Sequence, residues 1–255
     1  MLTPDMTKGR VKAISFDGDM TMWDFEKVMR HSLAIVLRVL RGRVPSQHTE
    51  QLTVDMMVQI RDEVAAGLKG TAVDLQEIRL RGFQRTLEVT GCPDETLARE
   101  LNDLYRKHRY EDIDLYPDVL SCLEGLRDNY VLGLLSNGMG FPDRCWLSDH
   151  FRFVVFAPDV GVEKPDAAIF HAACREAGCV PAELVHIGDS LEDDVAGANR
   201  VGAVSVWLNR DGRDNETGIV PDYEVRSLTE FARVMGASPT ASHNGMHRIM
   251  PQRRS

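Results

Sequence analysis

The sequence has no apolar stretch long enough to cross a bilayer. Runs such as residues 33–37 and 131–135 fall far short of the ~20 residues a spanning helix needs. The first ten residues, Met1 to Arg10, are polar and hold no signal-peptide apolar region. No CxxC pair occurs among the five cysteines, Cys92, Cys122, Cys145, Cys174 and Cys179. An odd set without paired spacing excludes a disulfide scaffold. It reads as free, mostly buried thiols in a reducing compartment, so a cytoplasmic location is expected. Nor is there an excess of positive charge: 30 Lys+Arg stand against 39 Asp+Glu, a net charge of −9. Sequence-independent nucleic-acid binding needs a basic surface, and an anionic membrane attracts one. Neither nucleic acid nor membrane is therefore expected as a partner. The eight histidines show no metal-ligand spacing.

What is present is ordinary globular composition, 43% hydrophobic and 27% charged over 255 residues. That length suits one or two domains with a core of their own. Residues 11–16 read as a short strand, and four later segments resemble it: 130–135, 153–156, 184–187 and 203–208. Helical patterns over 117–128, 165–178 and 191–201 lie between them. Continuous apolar strands alternating with amphipathic helices predict an α/β fold, a Rossmann-like parallel sheet covered on both faces.

Residues 25–115 break that rhythm. Phe25, Val28, Met29, Leu33, Val36, Leu37 and Leu40 make one apolar stripe ending near Gly42, the spacing of a helix. Further helices are expected over 46–67, 71–90 and 93–109. An all-helical cap of residues 25–115 thus interrupts an α/β core made of residues 1–24 and 116–236. The segment 237–255 has Ser, Pro, His and Arg but no acid, and reads as a disordered tail.

Four short motifs fall at strand ends, where open α/β sheets bind ligands. The first strand runs into Asp17-Gly18-Asp19-Met20-Thr21, the second into Ser136-Asn137-Gly138. The third leads to Lys164-Pro165, and the fourth to Gly188-Asp189 with Glu192, Asp193 and Asp194 after it. Two carboxylates two residues apart are costly unless a cation or proton intervenes. Ser-Asn-Gly also describes an ordinary turn, so Asn137 has two readings, holding the turn or holding substrate. Thr21 reads as a residue that ties down its loop. Trp23 and Phe25 read first as hinge packing, with substrate contact as the alternative. The run Tyr105, His108, Arg109 and Tyr110 reads first as a solvated helix face, with a face turned toward the ligand site as the alternative.

Together the four segments resemble the haloacid dehalogenase superfamily of aspartate-nucleophile hydrolases. The resemblance runs from Val11 to about Phe231 and includes the cap. It implies a phosphatase that cleaves small phosphorylated metabolites, acting as a monomer or homodimer. Asp17 would be the nucleophile and Asp19 the general acid and base. Ser136 and Lys164 would bind the transferring phosphoryl group, with Asn137 beside them. Mg2+ is the implied cofactor, held by Asp17, the backbone carbonyl of Asp19 and Asp189. Asp194, also expected at the metal behind these ligands, matches the later acid of the fourth motif, and Asp193 competes for that place. Dehalogenases of this type lack the second aspartate, so the phosphatase reading leads. A phosphomutase, a 2-haloacid dehalogenase and a non-catalytic binding protein on the same scaffold are the alternatives.

Overall fold

The computed structural model describes residues 11–68, 75–111, 113–138 and 147–237. Cys145, the first ten residues and the expected tail after Ala237 lie outside the described residues. The chain divides into two compact units. One contains the chain up to Asp17, Pro117–Asn137 and the residues from His150 onward. The other contains Gly18–Tyr116 and the described part of Gly138–Asp149. Gly18 is the first residue of the helical unit. The cause is local: the N–H groups of Thr21 and Met22 both bond back to the carbonyl of Gly18. This turn leads into Trp23, which bridges to Leu115 at the far end of the insertion.

The sheet unit holds six strands: β1 (Ala13–Phe16), β2 (Val131–Ser136), β3 (Phe153–Phe156), β4 (Leu184–Gly188), β5 (Val204–Leu208) and β6 (Tyr223–Val225). All pairings are parallel, in the order β3-β2-β1-β4-β5-β6. The central strand β1 is buried at every position, as a strand covered on two faces must be. Its alternate residues serve opposite layers. Phe16 meets Phe231 edge-on at 5.9 Å, on the layer where α6 (Val119–Leu126) packs against α10 (Leu228–Val234). Ala13 points the other way, into a cluster with Ile169, Phe170, Ala173 and Ala198 from α8 (Ala167–Ala177) and α9 (Ala196–Val201). Gly133 in β2 is fixed by packing, because a Cβ there would lie 2.2 Å from the ring of Phe153. The short helix α7 (Ala157–Val160) follows β3.

The sequence reading located five of these strands. It missed β6, which is three residues long and has one fully buried position, too short to show alternation. It also missed α7 and α10. The helix expected over 191–201 begins as a π turn, Leu191–Val195, before α9.

The other unit is helical: α1 (Phe25–Arg43), α2 (Gln47–Gln51), α3 (Val54–Gly67), α4 (Leu75–Val89) and α5 (Glu95–Glu111). Asp24 caps α1 through the N–H of Lys27 at 2.9 Å, the favoured use of an Asp before an apolar stripe. The single helix expected over 46–67 is two helices. Leu52 is extended, and Thr53 then caps α3 through the N–H of Met56. The stripe of α1 packs with Leu52, Met57, Phe83, Leu87, Leu101 and Tyr105 into one core. No described helix is long and apolar enough to cross a membrane.

Candidate active site

The sheet order puts β1 between β2 and β4, so their carboxyl ends are neighbours. Asp17 follows β1 directly and is held in line by its N–H, which donates to the carbonyl of Ile187 at 2.9 Å. Ser136 is the last residue of β2 and is buried. Gly188 ends β4, and a Cβ there would lie 2.1 Å from the carboxylate of Asp194. Only glycine lets the π turn bring that carboxylate so close to the strand.

Lys164 comes from the loop between α7 and α8. Its Nζ donates to Asp17 Oδ1 at 2.6 Å, to Asp194 Oδ1 at 2.6 Å and to the carbonyl of Leu135 at 3.1 Å. An ammonium has three protons, and all three are used. The side chain is 2% exposed. Burial works against its charge, but Asp17 and Asp194 outweigh burial and hold its proton affinity above the ordinary lysine range.

Asn137 places this lysine. Its Nδ2 donates to the carbonyl of Lys164 at 3.1 Å, and its Oδ1 accepts the N–H of Lys164 at 2.6 Å. Of its two sequence readings, substrate contact and turn, the geometry supports a third: Asn137 clamps the end of β2 to the lysine loop. Both ends of its amide are spent there.

The two buried aspartates differ because their donors differ. Burial disfavours the charge on Asp194, yet Lys164 and His186 more than compensate and hold it below the ordinary carboxylate range. The N–H of Ser190 adds a third donor at 3.0 Å. Asp17 shares the same lysine. Burial dominates there, Lys164 opposes it only in part, and the charges on Asp194 and Asp189 add to the upward shift. Asp189 is half-buried, and burial with the charge of Asp194 pushes it up to about 7.

Carboxylate oxygens of Asp17, Asp189 and Asp194 lie within 4.8 Å of one another. One lysine cannot offset three such charges, and two of the carboxyls stay raised beside it. A hard divalent cation with oxygen ligands fits this deficit. Asp194 accepts from Lys164, His186 and Ser190, so Asp17 and Asp189 are the less occupied donors of the three. Asp193 lies one residue before Asp194 in the same π turn. Its N–H is bonded to Ser190 Oγ, and it stands outside the carboxylate group. Glu192 is exposed.

His186 was not singled out by the sequence. It lies inside β4, and its Nε2 is 3.0 Å from Asp194 Oδ1 while its Nδ1 is 2.8 Å from Ser15 Oγ. An ionised carboxylate only accepts, so Nε2 carries the proton and Ser15 donates to Nδ1. Burial holds the imidazole below its ordinary proton affinity, consistent with a neutral ring. The available signal was polarity itself: Ser15 and His186 are polar residues in apolar strands, and buried polar groups need partners. Trp207, also missed, fixes the backbone of Asp189 by donating from Nε1 to its carbonyl at 3.0 Å.

Asp19 belongs to the helical unit, and its side chain is not part of the carboxylate group above. Its Oδ1 accepts from Trp23 Nε1 at 2.6 Å and from Arg109 Nη2 at 2.8 Å. The expected solvated face at Tyr105–Tyr110 is therefore a correction. Tyr105, Arg109 and Tyr110 are all buried, because Arg109 continues the buried row Leu97, Leu101, Tyr105 at i+4 spacing. Trp23 packs as expected and in addition donates this hydrogen bond. Thr21 is buried, and its N–H donates to the carbonyl of Gly18 at 3.3 Å.

A family model for haloacid dehalogenase-like hydrolases matches residues 11–202. The chain belongs to that family. Among relatives of this hydrolase is the N-acylneuraminate-9-phosphatase of Homo sapiens, 28% identical over 240 residues, which cover 90% of this chain and 96% of that one. A phosphoserine phosphatase of Thermus thermophilus is 34% identical over 170 residues, 64% of this chain and 68% of the relative. Among solved structures, a 2-haloacid dehalogenase from Pseudomonas syringae pv. Tomato DC3000 superposes with a TM-score of 0.72 at 28% identity, covering 89% of this chain and 98% of that one. The fold of this hydrolase is thus shared by enzymes named for two reactions.

Proposed function

We propose that this hydrolase is a magnesium-dependent phosphatase that cleaves small-molecule phosphate monoesters through an aspartyl phosphate on Asp17. The observation that carries the reading is the position of Lys164, 2.6 Å from both Asp17 and Asp194. Phosphoryl transfer needs a placed nucleophile and fixed positive charge more than any other device. A carboxylate beside a locked ammonium, in a group fit for a divalent cation, supplies both.

In the first step an oxygen of Asp17 bonds to phosphorus, and the bond from phosphorus to the ester oxygen breaks. Asp19, two residues along the chain, gives a proton to the departing oxygen. Ser136 holds a phosphoryl oxygen, and Lys164 supplies fixed positive charge beside the phosphoryl group. In the second step water adds to phosphorus and passes a proton to Asp19. The bond between phosphorus and Asp17 breaks, and inorganic phosphate leaves. Asp17, Asp189 and the backbone carbonyl of Asp19 would hold magnesium, which when bound neutralises charge on the phosphoryl oxygens. Asp194 serves by fixing Lys164, and Asn137 by fixing the loop that carries it.

Several features support this reading over dehalogenation. The chain keeps a second carboxylate, Asp19, as a proton carrier. Two relatives bear phosphatase names with small-molecule substrates. Leaving-group choice is assigned to the helical insertion, residues 25–115, and the net charge of −9 suits a small metabolite better than a nucleic acid. The free thiols at Cys92, Cys122, Cys174 and Cys179 suit a reducing, cytoplasmic setting.

The test is a panel of phosphorylated metabolites assayed for phosphate release with magnesium and with excess chelator, alongside chloride release from 2-chloropropionate. Phosphate release that magnesium restores is the expected result. Chloride release with no phosphate release on any ester would overturn the reading.

A further inference from the structure

Asp19 is held in an unusual way for a carboxylate that transfers protons. Both of its donors, Trp23 Nε1 at 2.6 Å and Arg109 Nη2 at 2.8 Å, converge on the same oxygen, Oδ1. Among the described residues no donor reaches Oδ2, and the side chain keeps 33% of its exposure. One oxygen is tied down and the other is presented.

The two donors are themselves fixed. The Arg109 side chain is 7% exposed, so its charge is felt with little screening by water. Its guanidinium lies 4.5 Å from the ring centroid of Phe25 and 5.8 Å from that of Tyr110, stacked as planar cations stack on aromatic faces. Trp23 is 2% exposed, and its carbonyl accepts the N–H of Met20 at 2.8 Å. Met20 has a positive φ of 64°, a conformation uncommon outside glycine. That turn brings the indole back over Asp19, four residues earlier. A surface ion pair gains little and leaves both partners mobile. This one is buried on the arginine side and carries a second donor on the same oxygen.

We propose that Arg109 and Trp23 are positioning residues for proton transfer, holding Asp19 by Oδ1 so that Oδ2 alone carries the proton. The inference rests on the phosphatase reading above. In the first step the proton leaves Oδ2 for the ester oxygen as the phosphorus–oxygen bond breaks, and the alcohol departs neutral. The negative charge left on Asp19 is met by Arg109 through Oδ1. In the second step Oδ2 takes a proton from the attacking water, which restores the acid. Arg109 and Trp23 exchange no proton; they fix which oxygen does.

The readout is the dependence of kcat/KM on the leaving group. Phenyl, 4-chlorophenyl and 4-nitrophenyl phosphate share one shape but differ in how much their departing oxygen needs a proton. Well-placed general acids contribute roughly 10²–10⁴-fold. Arg109→Met is expected to raise the ratio of kcat/KM for 4-nitrophenyl over phenyl phosphate by about tenfold. Trp23→Phe, which removes one N–H, should move the ratio the same way by a smaller factor. Arg109→Lys keeps the buried cation without its fork, is expected to fall between wild type and the methionine variant, and carries the test if that variant does not fold. A purely structural role would lower all three esters in parallel. An unchanged ratio in the folded Arg109 and Trp23 variants overturns the proposal. Asp19→Ala separates the two levels. If it leaves the ratio unchanged, the acid role of Asp19 fails; if it raises the ratio while the Arg109 and Trp23 variants do not, only the positioning role fails.

Discussion

Lys164 and Asp194 form a 2.6 Å ion pair in which each side chain is 2% exposed. Such a pair is weak evidence of stability as it stands, because desolvation offsets much of the attraction. Breaking it is another matter. Lys164→Met removes the shared cation and leaves Asp17 and Asp194 buried without it. The expected cost is about 3–5 kcal/mol in chemical denaturation, together with loss of turnover. A loss below 1 kcal/mol, on the scale of an exposed pair, would show that the pair is hydrated in solution.

Asp17→Asn is expected to do the opposite to stability. Burial is the largest influence on Asp17 and disfavours its charge, so a neutral amide of the same size is tolerated in the metal-free protein. The melting temperature without magnesium should not fall. Phosphate release should fall to background, because an amide cannot form the acyl phosphate. A folded Asp17→Asn protein with full activity would exclude Asp17 as nucleophile.

Much of the sheet unit was legible in the sequence because its signals are local. Short apolar runs ending in Asp17, Ser136 and Gly188-Asp189 mark both the strands and the edge where the site lies. Asp17, Lys164, Asp189 and Asp194 were named from motifs, and the structure brings them together. Long-range geometry was not legible. Asn137 grips a loop 27 residues away, and nothing in a Ser-Asn-Gly turn announces its partner. His186 and Ser15 are 171 residues apart. Arg109 reads as solvated by its charge alone, while its i+4 spacing from Tyr105 puts it on the buried row.

Gly188→Ala tests the closeness of strand and carboxylate. The added Cβ would lie 2.1 Å from Asp194, a distance that forces the π turn Leu191–Val195 outward. The displaced carboxylate loses its hold on Lys164. Activity should drop at least about tenfold, while stability falls by about 1–3 kcal/mol, the usual range for overpacking. Kinetics and denaturation of the same preparation check both figures. Wild-type activity with unaltered stability would mean that the turn yields without cost.

Magnesium and pH should act on stability together, and the sign follows from Asp189. Its folded value is pushed up to about 7, against an ordinary 3.8, first by burial and then by the charge of Asp194. A carboxyl with a raised folded value binds protons more tightly in the native state than in the unfolded one. Stability therefore falls as pH rises through that interval, and the loss is complete above about 7. The metal-free protein is expected to melt progressively lower between about pH 5 and pH 7.5. A divalent cation binds the ionised carboxylates and competes with the proton. Added magnesium should then raise the melting temperature little at pH 5 and by several degrees at pH 7.5, flattening the pH dependence. Thermal melts at both pH values, with magnesium and with excess chelator, read this without any assay of turnover. Asp189→Asn should shallow the pH slope in the metal-free protein, leaving the share that the raised Asp17 contributes, and remove most of the response to magnesium. A magnesium shift of equal size at both pH values, or one that survives Asp189→Asn intact, would place the ion away from these carboxylates.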